Sequence, residues 1–310
     1  MPSWRDSGLR FHTYRHFLRK RFAARVYRVS LDGGFTCPNV DGTVATGGCI
    51  FCNNDSFSPS RRHGHAAIAA QLDDGIARLK ARYGEPTRFL AYFQPATNTH
   101  APIPALRALF HKPLNNPLVV GIVIGTRPDC VSGAVMDLLA ELAQQTYVCV
   151  EYGMQTMHDK SLDWMNRGHH HDAMLDAVAR SRDRNFDIAA HVILGLPGES
   201  HADMLATAHE LARLRLDGVK FHNLHAVADT PLAELVRNGT VAMLGRDEYV
   251  ATLADMLEVL PPEVVIQRIS GDAPREYLIG PQWCLDKAAV RRALDAELAR
   301  RDSWQGKWRR

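Results

Sequence analysis

Six strand-like segments alternate with helix-like segments over residues 26–225, and this alternation restricts the possible folds more than any other feature of the chain. The strand-like segments are rich in β-branched and aromatic residues and cover residues 26–31, 88–93, 118–125, 147–152, 188–194 and 219–224. Apolar residues at helical spacing lie between them, for example Ile68, Leu72 and Ile76. Such units predict right-handed βαβ crossovers around a parallel sheet.

The alternation becomes less regular after residue 225. We expect a helix over residues 249–260, an edge strand over 264–269 and a helix over 288–300. The predicted organisation is therefore a basic lead over residues 1–25, an α/β partial (β/α)6 barrel over 26–225, and a C-terminal α/β extension over 226–310 that packs on the barrel.

The composition is that of a globular protein, with 310 residues of which 46% are hydrophobic and 23% charged. The longest apolar run, residues 118–124, is too short to cross a bilayer. The N-terminus has Arg and His where a signal peptide has an apolar segment. These features predict a cytoplasmic protein without a membrane partner.

One glycine-rich loop, residues 31–53, contains three of the six cysteines: Cys37, Cys49 and Cys52. This clustering in a long chain indicates metal binding in a reducing compartment and argues against a disulfide framework. Three thiolates are too few for a closed structural zinc site or a fully ligated iron–sulfur cluster. One coordination position should therefore be open. The remaining cysteines are Cys130, Cys149 and Cys284, and they form no second motif.

Polar residues follow several of the predicted strands, including Gln94, Thr126 with Arg127, and Gln155. Ligands of parallel α/β folds bind at the carboxyl ends of the strands, so these residues should meet at one mouth. Lys220 and His222 alternate on the last predicted strand, where they are either substrate contacts or part of a satisfied polar core.

The spacing C-x11-C-x2-C, with Phe51 before the last cysteine, resembles the cluster loop of radical S-adenosylmethionine (SAM) enzymes. The runs Val150-Glu-Tyr-Gly-Met-Gln155, Asn166-Arg167 and His191-Val-Ile-Leu-Gly-Leu-Pro-Gly resemble the group that includes the Elongator catalytic subunit and oxygen-independent coproporphyrinogen oxidase. The motifs Asp32-Gly-Gly-Phe-Thr-Cys-Pro-Asn, Gly125-Thr-Arg-Pro-Asp-Cys and Gly271-Asp-Ala-Pro-Arg resemble the YhcC/YtqA-type branch.

This resemblance implies a [4Fe-4S] cluster held by Cys37, Cys49 and Cys52, with SAM at the open iron. It also implies reductive cleavage of SAM to a 5′-deoxyadenosyl radical, with an electron from a donor such as flavodoxin or ferredoxin. The SAM contacts carried over from the family are Phe51, Gln94, Glu151, Gln155, Arg167, His191 and Gly195. His191 stands where relatives often carry an acid that contacts the ribose, and this departure weakens a role for it.

Both ends of the chain are basic although the net charge is only +3. Residues 1–30 carry eight Lys or Arg and one acid, and residues 298–310 carry five and one. Basic ends suit a polyanionic partner, and the resemblance points to tRNA, at the side chain of a wobble uridine. The N-terminal aromatic residues either stack on bases or anchor a helix; they are Trp4, Phe11, Tyr14, Phe17, Phe22 and Tyr27.

Two alternatives to this function are open at the level of sequence. The first is a radical SAM enzyme that acts on a small molecule or a peptide. The second is a non-catalytic RNA-binding protein stabilised by zinc, with His63 and His65 completing a site begun by the cysteines.

Overall fold

The computed structural model describes residues 4–58, 66–85 and 87–308. Its strands, in chain order, are β1 (Arg25–Leu31), β2 (Thr87–Phe93), β3 (Val119–Thr126), β4 (Tyr147–Gln155), β5 (Asp187–Leu194), β6 (Gly218–Asn223), β7 (Ala226–Val227), β8 (Val265–Arg268) and β9 (Leu278–Gly280). A seven-stranded parallel sheet has the order β1-β2-β3-β4-β5-β6-β8. Strands β7 and β9 pair as a separate antiparallel ribbon. The predicted α/β partial barrel is confirmed.

Helices connect the strands and cover the outer face of the sheet. The α-helices are α1 (Tyr14–Phe22), α2 (Asn54–Phe57), α3 (Ile68–Tyr83), α4 (Ile103–His111), α5 (Gly133–Ala143), α6 (Asp159–Trp164), α7 (His171–Ser181), α8 (His201–Leu214), α9 (Pro231–Arg237), α10 (Arg246–Val259) and α11 (Lys287–Arg300). Helix α8 begins at a capping box formed by Ser200 and Asp203, which satisfies two amide groups of its first turn. In the residues that the structure describes, no helix has both the length and the hydropathy needed to span a membrane.

Strand β4 lies at the centre of the sheet and is buried along its whole length. Alternate side chains point to opposite faces of a strand. Val150 and Tyr152 belong to the main hydrophobic core, whereas Cys149 packs in a second cluster with Tyr92. Glu151 has the same parity as Cys149, so its carboxylate lies on the same face of the sheet as Cys149, which is the concave face.

Helix α1 closes one end of the concave face. Leu18, Phe17 and Phe22 pack in the cluster that contains Cys149, and the rings of Phe22 and Tyr147 are 5.7 Å apart. Trp4 is buried and donates through Nε1 to Pro262 O at 2.8 Å. Of the two alternatives for the N-terminal aromatic residues, the structure shows anchoring for these side chains.

Strand β8 joins the C-terminal extension to the main sheet. It pairs in parallel with β6, through Gly218 and Val265, and it receives the N-terminal segment through a bridge between Thr13 and Ile266. The extension thus contributes an edge strand to the sheet in addition to packing on it.

Candidate active site

The cysteine loop folds back on itself and is fixed to the segment that follows β4. Within the loop, Val40 N donates to Cys37 O at 2.7 Å and Cys52 N donates to Cys49 O at 3.0 Å. Asn166 Nδ2 donates to Gly48 O at 2.7 Å. These hydrogen bonds position the loop beside the carboxyl end of the central strand.

The three thiols of this loop line one cavity of about 130 Å³, which we call the cysteine cavity. The predicted SAM contacts that line it with Cys37, Cys49 and Cys52 are Phe51, Gln94, Glu151, Gln155, Arg167 and His191. These residues come from the loop, the end of β2, the middle and end of β4, the middle of β5, and the turn after α6. The folded chain therefore brings together residues that are far apart in sequence.

Cys49 is buried, and its sulfur is approached by two N–H groups. Arg167 Nη1 lies 3.5 Å and Asn39 Nδ2 lies 3.6 Å from Cys49 Sγ. Hydrogen bonds to a sulfur stabilise its thiolate form and tune a metal bound to it. Arg127 also lines the cavity, and its guanidinium is paired with Asp129, with Nη2 2.7 Å from Oδ2.

The donor set fits a multinuclear cluster. The thiols of Cys37, Cys49 and Cys52 border one cavity. A thiolate set around a space, with N–H donors and two arginines beside it, suits an anionic iron–sulfur cluster. His63 and His65 of the zinc alternative lie outside the described residues.

The end of β4 is distorted where it borders the cysteine cavity. Gln155 has a φ of +68°, and the register with β5 shifts between Gly153 and Gln155. Arg167 Nη2 donates to Gly153 O at 2.9 Å, and a Cβ at Gly153 would lie only 2.5 Å from Nη2. Glycine is therefore required for the close approach of Arg167. Strained backbone of this kind is concentrated at functional sites.

Glu151 is the centre of a buried ionic cluster. Its carboxylate oxygens lie 2.7 Å from Arg28 Nη1, 2.9 Å from Lys220 Nζ and 2.7 Å from His191 Nε2. Burial opposes ionisation, but Arg28 and Lys220 outweigh it and hold the pKa of Glu151 well below its usual range. Since a carboxylate only accepts hydrogen bonds, Nε2 of His191 carries the proton. Burial, aided by the charge of Lys220, lowers the pKa of His191 to about 4, so the ring is neutral at pH 7.

A second cavity of about 190 Å³ adjoins the first, and we call it the histidine cavity because His191, His222 and His225 line it. Phe51, Gln155 and His191 belong to both linings. Lys220 also lines the histidine cavity, and its Nζ donates to Tyr92 OH at 2.6 Å. Lys220 is thus part of a satisfied polar core and also lines the site. Both of the positions that the sequence left open for it, in the polar core and at the site, therefore apply.

Gly195 lies outside both linings. It follows β5 with a φ of +85°, and a Cβ there would lie 2.9 Å from Leu244, so the residue faces the extension. The carry-over of Gly195 as a SAM contact stays a prediction. Of the cysteines outside the loop, Cys149 and Cys284 are buried elsewhere, and Cys130 borders a different groove.

Several residues of the site had no role assigned from sequence, although Asn39 and Asn166 lie within the motifs that carry the family resemblance. Asn39 and Asn166 hold the loop, and Asn39 Nδ2 also donates to Asn166 O. Arg28 reaches Glu151 from β1. Asparagine in a glycine-rich loop usually marks a turn, and an arginine on an edge strand usually faces solvent. For Arg28, the available signal is its position two residues before Ser30 on the same strand, which places both side chains on the concave face of the sheet.

The family follows from comparison with known sequences. Residues 42–211 match the model of the radical SAM superfamily, and residues 216–300 match the model of its C-terminal domain. The chain therefore belongs to the radical SAM superfamily. It is accordingly an enzyme of the radical SAM type, its cofactors are a [4Fe-4S] cluster and SAM, and it requires a reductant.

Within the superfamily the chain falls in the YhcC/YtqA branch. It is 40% identical over 299 residues to the uncharacterized protein YtqA of Bacillus subtilis, covering 96% of this chain and 92% of YtqA. It is 39% identical over 268 residues to YhcC of Escherichia coli, covering 86% and 85%. Identity to Elongator complex protein 3 of Dictyostelium discoideum is 29% over 192 residues, covering 60% of this chain and 33% of that protein.

A solved structure has the same fold. The archaeal Elp3 of Methanocaldococcus infernus superimposes with a TM-score of 0.67 at 18% identity, covering 88% of this chain and 63% of that chain. At this identity the likeness concerns the fold. It includes most of the present chain, in agreement with a core and an extension that share one sheet.

Proposed function

We propose that Cys37, Cys49 and Cys52 hold the cluster of this radical SAM enzyme, and that its substrate is tRNA, modified at the side chain of a wobble uridine. The observation that supports the site is that all three thiols and six predicted SAM contacts line one cavity at the strand ends. When bound, the cofactors supply a carbon radical that removes a hydrogen atom from the substrate.

The residues of the chain would bind SAM in the cysteine cavity and the target group of the substrate in the histidine cavity. Arg167 and Gln155 would orient SAM from the turn after α6 and the distorted end of β4, and Phe51 lies where the two cavities meet. Neutral His191, with its Nε2–H held by Glu151, presents Nδ1 as an acceptor. The histidine cavity would then hold the target group, since a reactive radical requires a positioned C–H bond and exclusion of water.

Gln155→Ala should preserve the cluster but slow the formation of 5′-deoxyadenosine at least ~10-fold, because loss of alignment at a reacting centre commonly costs this much or more. Gln155 makes no contact with the cysteine sulfurs in the hydrogen bonds of the described chain. The measurement is iron content together with 5′-deoxyadenosine released under reducing conditions.

Gln145→Ala is the matched control, because Gln145 is exposed at the opposite end of β4. It should leave both quantities unchanged. Equal rates of SAM cleavage in the wild type and in Gln155→Ala would remove Gln155 from the SAM site.

The charge distribution supports a polyanionic substrate. The basic N-terminal and C-terminal segments lie together, since Arg10 Nη1 donates to Ser303 O at 3.0 Å and Arg5 Nη2 donates to Gln305 O at 3.3 Å. Among the described residues, Arg5 of the N-terminal segment and Lys307 of the C-terminal segment thus lie on one part of the molecule, where both contact the ring of Trp304. Such a surface provides affinity for phosphates that does not depend on sequence. The resemblance to the Elongator subunit directs the proposal to tRNA uridine, and flavodoxin or ferredoxin would supply the electron.

Deletion of the gene should change the profile of modified uridines in tRNA, with a precursor accumulating and its product disappearing. Chromatography with mass spectrometry of nucleosides from digested tRNA measures both species. Complementation by the wild type should restore the product, whereas Cys52→Ala should not. An identical profile in the deletion strain, grown where the protein is expressed, would exclude tRNA and favour a small-molecule or peptide substrate.

A further inference from the structure

The concave side of the sheet contains a third cavity, of about 760 Å³, that the site chemistry does not use. Helix α1, the inner face of β1 and the end of β8 enclose it, and we call it the arginine cavity. Six cationic residues line it: Arg15, Arg19, Arg25, Arg28, Lys220 and Arg268. None of the described residues that line it is Asp or Glu. The cavity lies at the seam between the two edge strands, where Arg28 Nη2 donates to Gln267 Oε1.

The positive charge of the arginine cavity is only partly compensated. Arg28 and Lys220 are paired with Glu151 behind the cavity wall. In the described part of the chain, Arg15, Arg19 and Arg268 take part in no ion pair. Arg15 and Arg19 are exposed on one face of α1, and Arg268 is half-buried at the end of β8. Guanidinium groups that converge on a space without a carboxylate are suited to bind phosphate.

Aromatic rings lie beside these guanidinium groups. Tyr27 and Tyr83 stack at 4.5 Å between ring centroids with an interplanar angle of 8°, and Tyr83 is 38% exposed. Both residues line the arginine cavity. Exposed aromatic faces next to cationic grooves are typical of surfaces that bind unpaired nucleic acid, because bases stack on the rings while the cations follow the backbone.

The arginine cavity adjoins the histidine cavity. Tyr92, Gln94, Lys220 and Arg268 line both. A ligand whose phosphates lie near Arg15 and Arg19 is therefore separated from the space beside His191 only by this shared wall, which includes Arg268. A nucleic acid strand has the required form, with charge along its backbone and a base that can turn away from it.

We propose that the arginine cavity binds backbone phosphates of the substrate RNA and that the target base reaches the histidine cavity past Arg268. This inference rests on the proposed tRNA substrate. It assigns the phosphate contacts to the seam of the partial barrel, on the inner side of α1, where four of the six cations belong to the basic N-terminal residues 1–30.

The test compares tRNA binding by the holoenzyme and by the variants Arg15→Ala/Arg19→Ala and Arg268→Ala at several salt concentrations. Removal of one cation that neutralises a phosphate should lower the slope of log affinity against log salt by about 0.7 to 0.9. The double variant should therefore have a slope that is smaller by about 1.4 to 1.8, and should bind at least ~10-fold more weakly at low salt. Arg268→Lys keeps the charge and should retain most of the slope.

Arg292→Ala is the matched control, since Arg292 is exposed on α11 and lines none of the three cavities. It should bind tRNA as the wild type does, and all variants should keep the wild-type unfolding temperature. If the wild type binds tRNA and the double variant shows the same slope, the arginine cavity is not the phosphate site although the tRNA substrate stands.

A second probe, uridine 5′-monophosphate, separates the two proposals if the wild type does not bind tRNA. Binding of the nucleotide by the wild type, weakened at least ~10-fold in Arg268→Ala, would support a phosphate site that serves another substrate. Absence of nucleotide binding, together with absence of tRNA binding, would overturn the inference as well as the proposed substrate.

Discussion

Alanine at Cys37, Cys49 or Cys52 is expected to abolish the iron–sulfur cluster and to reduce SAM cleavage below detection. Each thiol lines a cavity from which a separate iron would be ligated, and two thiolates cannot hold the cluster against loss of iron. After anaerobic reconstitution the wild type should be brown, with iron and sulfide near about four each per chain. Iron and sulfide assays and visible absorption spectra measure the loss in each variant.

Cys149→Ala and Cys284→Ala are the controls for this result. Both thiols are buried outside the cysteine cavity, and burial raises the pKa of each, so neither is disposed to act as a thiolate ligand. Their replacement should leave the cluster in place. A full cluster in Cys37→Ala would contradict the assignment, as would a colourless wild type that contains one zinc ion and no sulfide.

The strands and the cysteine loop could be predicted from sequence because their signals are local. The apolar run of β3 and the β-branched and aromatic residues of β1 mark strands by composition alone, and the structure places them within one or two residues of the prediction. Residues after strand ends are brought together by any parallel sheet. Gln94 and Gln155 therefore could be assigned to one mouth before the geometry was known.

Contacts between distant segments could not be predicted, because nothing local records them. Glu151 was expected only as a SAM contact, yet it pairs with Arg28 on the far edge strand and with Lys220 on β6. These ion pairs require the curvature of the sheet, which brings β1 and β6 to the same concave space. The contact between the two basic chain ends likewise depends on tertiary packing, because Gln305 N donates to Arg10 O.

Substitution of Glu151, at the centre of the ionic cluster, is the second change for which we expect a large effect. Glu151→Ala should destabilise the protein by about 3 to 5 kcal/mol, because removal of one partner from a buried ion pair leaves the other charge uncompensated. Lys220 can release its proton, since burial already lowers its pKa. Arg28 cannot, so its guanidinium accounts for most of the cost. Urea unfolding followed by circular dichroism measures the change.

The pH dependence of stability distinguishes loss of charge from loss of packing. The pKa of Glu151 is depressed in the folded state, so its contribution is fully present above its ordinary value of 4.5 and disappears as the pH falls through the lower, native value. Glu151→Gln keeps the shape but not the charge, and should remove this part of the acid dependence. Glu141→Ala, at an exposed pair with Arg107 that solvent screens, should change stability and its acid dependence much less than Glu151→Ala. If Glu151→Ala is as stable as the wild type, the Arg28 guanidinium must be hydrated through the arginine cavity in the variant. Glu151 would then not be needed to stabilise this side of the site.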